Sequence, residues 1–368
     1  QIWLTTALST PATPEVAKAT LKRVGGAVPS AQVAGHITLK AVCVDRASGR
    51  TIHSITLFEV HEPVTICATN SYASPTPVVE AGRLYCDFGQ MGTACVDTAS
   101  GKILWRRHLP ADHQVGPGSS AMLYGDLLVL VRDGCDMQYV IAIEKQSGKT
   151  VWRTDRPPIK ATAAPLKKAF STPLVFDSPV GRQMVVLGAQ WIVSYDPDSG
   201  RPFWRIDTGG TFSNTSRPVF GHGMVFVCTS FGGSKLFAVR VDGRDDVTDT
   251  HIAWEQSRQV PKRSSPLLVG DELYTISDAG VATCFDARSG SIHWSERILG
   301  NCSASPVLAD GRIYFCDEDG KTVVLEPSRE FTLLAKNELD GQIMASLAIA
   351  GRAIFLRTDT HLYRIEEK

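Results

Sequence analysis

Ala94-Cys95-Val96-Asp97-Thr98-Ala99-Ser100-Gly101-Lys102-Ile103-Leu104-Trp105 is a β-hairpin spelled out in residues. An apolar run ends in Asp97, whose carboxylate accepts hydrogen bonds from backbone N–H groups two or three residues on. Gly101 then supplies the left-handed conformation that closes the turn. A second apolar run follows and ends in Trp105, a large ring with one polar edge, suited to filling a gap between packed sheets. Copies stand at Cys43-Val44-Asp45 with Ser48-Gly49, Ala142-Ile143-Glu144 with Ser147-Gly148, Ser194-Tyr195-Asp196 with Ser199-Gly200, and Cys284-Phe285-Asp286 with Ser289-Gly290. Trp152, Trp204 and Trp294 each sit four residues past the glycine. Weaker copies lie at Ala238-Val239-Arg240, whose turn is enlarged before Trp254, at Val324-Leu325-Glu326, and at Arg364-Ile365-Glu366. The spacing between copies runs from 40 to 52 residues, the length of four short strands and their turns.

A second phrase recurs in step with the first. It reads Ser74-Pro75-Thr76-Pro77-Val78-Val79, then Ser119-Ser120-Ala121, Ser171-Thr172-Pro173, Ser216-Arg217-Pro218, Ser264-Ser265-Pro266, Ser303-Ala304-Ser305-Pro306 and Ala345-Ser346-Leu347. In a propeller the first strand of each blade lies beside the axis, where bulky side chains collide, while the outer strands diverge and need filler the size of Trp. Small residues first and Trp last is a radial gradient written along each repeat. The expected fold is therefore all-β: an eight-bladed β-propeller of four-stranded antiparallel blades, with seven blades as the alternative if the first hairpin and the terminal strands share one blade. On this reading Trp105, Trp152, Trp204, Trp254 and Trp294 are structural, each wedged between its own blade and a neighbour.

A length of 368 residues would by itself suggest two or three domains, but regular repetition argues for a single propeller domain over 1–368. Residues 8–36 read as a polar insertion into the first repeat and the main place for helix. The last repeat ends without its Trp strand, and the first opens at Ile2-Trp3-Leu4 without a small-residue phrase. The expectation is that native strands precede Gln1 by at least ~20 residues, enough for two strands and their turns. The rival is that residues 2–7 are themselves the closing outer strand.

Lys and Arg together number 38, as do Asp and Glu, so no basic excess points to nucleic acid. No apolar run approaches the ~18 residues of a membrane span. Cys43, Cys95 and Cys284 share one repeat position, and Cys86, Cys228 and Cys316 lie in the strand before it, as small buried hydrophobes would. The nine cysteines contain no C-x-x-C pair, and no metal site is expected.

The phrase A-x-D-x-x-S/T-G-x-x-x-W resembles the tryptophan-docking repeat of the quinoprotein-type, or PQQ-like, β-propeller superfamily. Within it the chain is most similar to bacterial PQQ-binding-like repeat proteins grouped with the β-propeller lipoprotein of the outer-membrane assembly machinery. That resemblance implies a scaffold without cofactor, in the periplasm or at the cell surface. Quinoprotein dehydrogenases of the fold, which use PQQ with calcium, add an adjacent Cys-Cys pair and a calcium site beside a catalytic Asp; neither pattern is found here.

Other chemical signals have structural readings. Asp245-Asp246-Val247-Thr248-Asp249-Thr250-His251 gathers three carboxylates and an imidazole, but it lacks the Gly and distal Glu of a calcium loop and reads as a solvated turn. Phe231-Gly232-Gly233-Ser234 has no Walker spacing, and no G-x-S-x-G occurs. Binding is instead placed by geometry. The connections between blades open on the channel mouth, where propeller ligands commonly sit, and they carry Asn70, Tyr72, Gln114, Lys168, Asn214, Arg263, Asn301 and Gln342, with Arg217 entering an inner strand. The functional expectation is a monomeric, non-enzymatic protein presenting that face to a protein, peptide or glycan. The alternative is a quinone-dependent oxidoreductase or small-molecule binder.

Overall fold

Hydrogen bonds of the Asp-x-x-Ser-Gly turns set the strands. Asp97 Oδ1 accepts from the Ser100 backbone N–H and from the Ser100 hydroxyl, both at 2.7 Å. The Gly101 N–H donates to the Asp97 carbonyl at 2.9 Å, with φ at +72°. Asp45 with Ser48 and Asp286 with Ser289 repeat the pattern. The Ser100 bonds hold the Asp97 carboxyl below its ordinary value, because they favour its charged form.

The computed structural model describes residues 1–24 and 30–367. They divide into two compact units, Gln1–Pro173 with Asp196–Arg201, and Leu174–Tyr195 with Pro202–Lys368. Both are built from antiparallel up-and-down sheets, as in a β-propeller. The first unit holds a three-stranded sheet of Ile2–Pro11, Ala34–Val44 and Thr51–His61, then four-stranded sheets running from Val78–Glu80 to Ile103–Arg107 and from Met122–Tyr124 to Thr150–Asp155. The second holds sheets running from Leu174–Ser178 to Pro202–Asp207, Val219–Gly221 to Ile252–Gln256, Leu267–Val269 to Ile292–Arg297 and Val307–Ala309 to Leu333–Glu338. A three-stranded sheet from Ala348–Ala350 to Leu362–Glu366 completes it.

The insertion is narrower than 8–36. Leu8, Ser9 and Thr10 stay paired with Thr38, Ile37 and His36, so the first strand runs on to Pro11 before the helix Pro14–Val24. Residues 25–29 of the insertion lie outside the described residues. Ile2–Pro11 pairs with Ala34–Val44, which pairs with Thr51–His61, and so takes the second-strand place rather than the outer one. Trp3 stacks on His53 at 5.8 Å.

The five docking tryptophans share one register. Trp105, Trp152, Trp204, Trp254 and Trp294 lie directly across from Cys95, Ala142, Ser194, Ala238 and Cys284, and a β-bulge follows each small residue. A small partner leaves room for the ring on the shared face of the sheet. Four indoles then donate to a carbonyl in the next hairpin turn: Trp105 to Lys145, Trp152 to Pro197, Trp254 to Ala287 and Trp294 to Ser328, at 3.0–3.2 Å. The turn glycine lies flat on the ring. A Cβ on Gly200 would stand 2.5 Å from Trp152, and one on Gly290 2.6 Å from Trp254. Trp204 differs, because the turn after it is the enlarged one. Its indole donates at 2.8 Å to Gln183 Oε1 of its own sheet, and the ring packs with Val225, Val227 and Val239 of the next.

That enlarged turn has a structural task. Asp245–Asp246 adds a short parallel strand to the edge of Pro202–Asp207, and Asp246 pairs with Arg205 at 3.1 Å. An otherwise open strand edge is covered. Among the described residues no group of three or more His, Cys, Asp or Glu side chains is placed to hold a metal ion.

The small-residue phrases carry a second device. Thr76 N–H donates to Ser120 Oγ and Ser120 N–H to Thr172 Oγ1 in the first unit. In the second, Arg217, Ser265 and Ser305 N–H donate to the hydroxyls of Ser265, Ser305 and Ser346, at 2.8–2.9 Å. Within each unit these inner strands are thus tied in series through side-chain oxygens. All nine cysteines are free thiols and eight are buried; burial pushes the Cys95 thiol up to about 11.

Charge is buried between the second and third sheets as well. Arg132 grips Asp87 with both Nη atoms at 2.7 and 3.0 Å, and both side chains are 1% exposed. Thr93 and the carbonyls of Leu109 and Val131 take up the remaining capacity. Arg132→Met leaves a carboxylate without its partner and should cost about 3–5 kcal/mol. Trp204→Ala should cost about 3–5 kcal/mol through cavity formation. Urea unfolding measures both, and losses below about 1 kcal/mol would contradict the packing described.

Candidate functional site

In an up-and-down sheet, the turn between strands two and three and the connection leaving strand four fall at the same end. Each unit gathers polar residues there. In the first, residues 62–77, 108–121 and 156–173 meet the turn at 134–137. Asn70 Nδ2 donates to the carbonyls of Val115 and Pro117 at 2.8 and 3.1 Å, while its Oδ1 accepts from Ser71 N–H. Tyr72 is buried, with its hydroxyl on the Val64 carbonyl at 2.9 Å. Both side chains are therefore clamps. Gln114 sits in the left-handed region at φ +60°, and its buried Oε1 has no hydrogen-bond partner among the described residues.

Around Gln114 lies a set of buried polar groups, of which sequence reading did not single out Asp133. His113 is 4% exposed, tilts against Phe170 at 5.8 Å and leaves Nδ1 without a partner. Burial pushes its imidazole down to about 3; Arg132 and Lys168 add to that and Asp136 opposes it. Lys168 is 3% exposed, with Nζ on the Pro165 carbonyl at 3.1 Å, and burial lowers its pKa too. Asp133 is 1% exposed. Neither of its oxygens receives a hydrogen bond among the described residues, and the Arg156 Nε is 3.7 Å away.

The second unit has its own cluster. Arg263 Nη1 donates to Ser303 Oγ and Glu318 Oε1, both at 2.9 Å, with Asp278 at 3.9 Å from Nε. Glu318 also donates its N–H to the Asn301 carbonyl and accepts at its own carbonyl from Ile343 N–H, next to Gln342. One acid thus draws Arg263, Asn301 and the Gln342 segment together. Asn214 stands apart: it is fully buried and satisfied by Gly188, Thr211 and Ser230. Arg217 has an exposed side chain with no partner among the described residues, yet surrounding protein lowers its pKa by desolvation. The signal for Glu318, Asp278 and Asp133 lay in the turns between strands two and three, which share this end with the connections.

The repeating sheets, docked indoles and hydroxyl ties define a β-propeller of tryptophan-docking repeats. More specifically, the family model described as outer membrane protein assembly factor BamB matches residues 7–154, 39–296 and 136–368, and the chain belongs to that family. Among curated relatives, the protein of that name from Shewanella oneidensis is 23% identical over 273 residues, 67% of this chain and 64% of its own. The one from Burkholderia pseudomallei is 23% identical over 303 residues, 76% of this chain and 70% of its own. The chain thus spans just under two thirds of the length of the Shewanella relative. The crystal structure of BamB from Moraxella catarrhalis aligns over 96% of both chains with a TM-score of 0.61 at 13% identity. A europium-containing methanol dehydrogenase aligns over 90% of this chain and 80% of its own, with a TM-score of 0.58 at 11% identity. These two likenesses are of fold.

Asp133 provides a test of the buried polar cluster. Burial pushes its carboxyl up to about 6, against the pull of Arg156. A carboxyl whose folded pKa lies above its unfolded value holds its proton more tightly when folded, so stability is lost as pH rises from about 4 to about 6. Asp133→Asn removes that term. The variant should gain on the native protein by about 2–3 kcal/mol between pH 4 and pH 7. Urea titrations of both proteins at the two pH values check the sign; a gain in the opposite direction would place the ionised carboxylate in a favourable site.

Proposed function

We propose that this chain is a non-enzymatic scaffold of outer-membrane protein assembly, a single eight-bladed propeller acting in the periplasm or at the cell surface. It binds a protein partner through the sheet ends that carry Gln114 and Lys168 in one unit and Arg263 and Asn301 in the other. The observation that carries this reading is the family match, which runs from residue 7 to residue 368. Supporting it, these ends hold the exposed or incompletely bonded polar groups, while the opposite ends hold the Asp-x-x-Ser-Gly turns with their internal bonds made. No helix among the described residues is long and apolar enough to cross a membrane.

A quinone-dependent oxidoreductase has less support. A calcium centre needs several converging oxygen ligands, and the described acids do not form such a set. Glu318 and Asp317 at these ends are occupied by Arg263 and by backbone N–H groups.

Site-specific photo-crosslinking from position 114 or 263 in the host cell tests the assignment. Crosslinks to outer-membrane assembly components, and a fall in outer-membrane β-barrel proteins when the gene is deleted, are the expected results. Unchanged barrel levels, together with a quinone absorbance band that survives desalting after incubation with quinone and calcium, would replace the scaffold by the enzyme.

A further inference from the structure

Two imidazoles face each other at the end of the first sheet that carries the insertion. His36 and His61 lie directly across from one another on the strands Ala34–Val44 and Thr51–His61. The Glu62 N–H donates to the Gly35 carbonyl at 2.8 Å, one residue beyond the pair on each strand. His36 and His61 therefore form a non-hydrogen-bonded pair, the kind whose side chains stand closest. Ile37 and Leu39 beside His36 point into the core, which turns the face of His36 and His61 away from it. Thr38 and Lys40 follow His36 on that face and Glu59 lies across from Thr38, so its charges are mixed.

The ring centroids are 4.7 Å apart and the planes are inclined at 44°. Neither imidazole makes a hydrogen bond or an ion pair among the described residues; the Thr10 hydroxyl reaches His36 only at its backbone carbonyl. Other histidines are engaged elsewhere: His53 stacks on Trp3, His108 meets Phe58 edge-on, and His222 lies 2.9 Å from the Gly270 carbonyl. Among the described residues this is the one contact between two imidazoles.

We infer that His36 and His61 chelate a divalent transition-metal ion, Cu2+ more tightly than Zn2+, as a clamp across the two strands. A metal about 2.1 Å from each coordinating nitrogen lies about 3.2 Å from each ring centroid, so the 4.7 Å separation corresponds to an angle of about 95° at the metal. That is near the right angle between neighbouring ligands of tetragonal Cu2+ and short of the tetrahedral angle of Zn2+. Imidazole lone pairs lie in the ring planes, so stacked parallel rings could not share an ion, whereas rings inclined at 44° have planes that meet. Donor type, rather than net charge, selects the occupant: Ca2+ and Mg2+ take oxygen ligands, while imidazole suits copper and zinc, with copper the tighter. His61 is exposed, which leaves the remaining coordination positions to water. The site is independent of the scaffold reading.

Titration calorimetry with Cu2+ tests it on the purified full chain in mildly alkaline buffer, in a Cys67→Ser background that removes the one cysteine not buried. Binding of one Cu2+ is expected, weakened about tenfold or more by His36→Gln and by His61→Gln and unchanged by His108→Gln. Zn2+ should bind the same pair less tightly. Electron paramagnetic resonance of the copper-loaded chain should show coupling to two imidazole nitrogens, reduced to one in His61→Gln. That spectrum of the parent chain decides the matter even where a variant folds poorly, a case that melts of the metal-free proteins identify. Copper binding equal in parent and both variants, or a parent spectrum without two coupled nitrogens, would overturn the inference.

Discussion

An indole laid against a glycine in the next turn is the contact on which the sheets depend. A blade buries one face only by having a neighbour, and adjacent twisted sheets splay apart away from the axis. Trp152 closes that gap with the flat of its ring under Gly200 and its N–H on the Pro197 carbonyl. The glycine is thus required twice, once for the turn's left-handed backbone and once because any Cβ would collide with the ring. The aspartate acts at the same place, since its carboxylate fixes the turn whose carbonyl receives the indole. Asp, Gly and Trp therefore recur together because they form one joint between consecutive sheets.

At the other edge of the sheets the constraint reverses. Space is scarce, and the tie is a hydroxyl rather than a ring. Ser265 illustrates it, accepting from Arg217 N–H on one side and donating its own N–H to Ser305 Oγ on the other. A hydroxyl suits this place because it satisfies an inner-strand N–H that no sheet partner reaches, within the volume of two heavy atoms.

The fold was legible because those joints are local in sequence. The turn, the glycine and the tryptophan fall within a dozen residues, so each repeat announces itself. Contacts that join distant residues were less so. Small size alone explained Ser120 and Ser305, and their bonding to the next inner strand emerged only in three dimensions. Trp204 looked like the other four docking rings, yet its acceptor is Gln183, two strands back. The candidate site shows the same division. Gln114, Arg263 and Asn301 lie at the end that strand counting assigns to them, but counting could not tell that Asn70, Tyr72 and Asn214 use their polar atoms internally. Nor could it find Glu318, whose partners come from residues 263, 301, 303 and 343.

The two ends of the sheets differ in what their chemistry leaves over. At the Asp-x-x-Ser-Gly end, carboxylate, hydroxyl and backbone satisfy one another inside five residues, and the indole takes the remaining carbonyl. At the opposite end the turns vary in length and composition, and a single side-chain oxygen such as that of Ser277, Thr229 or Thr358 takes up only part of their polar capacity. His113, Gln114 and Asp133 retain buried atoms without hydrogen-bond partners among the described residues. A repeat under strong packing constraint at one end is free to diversify at the other.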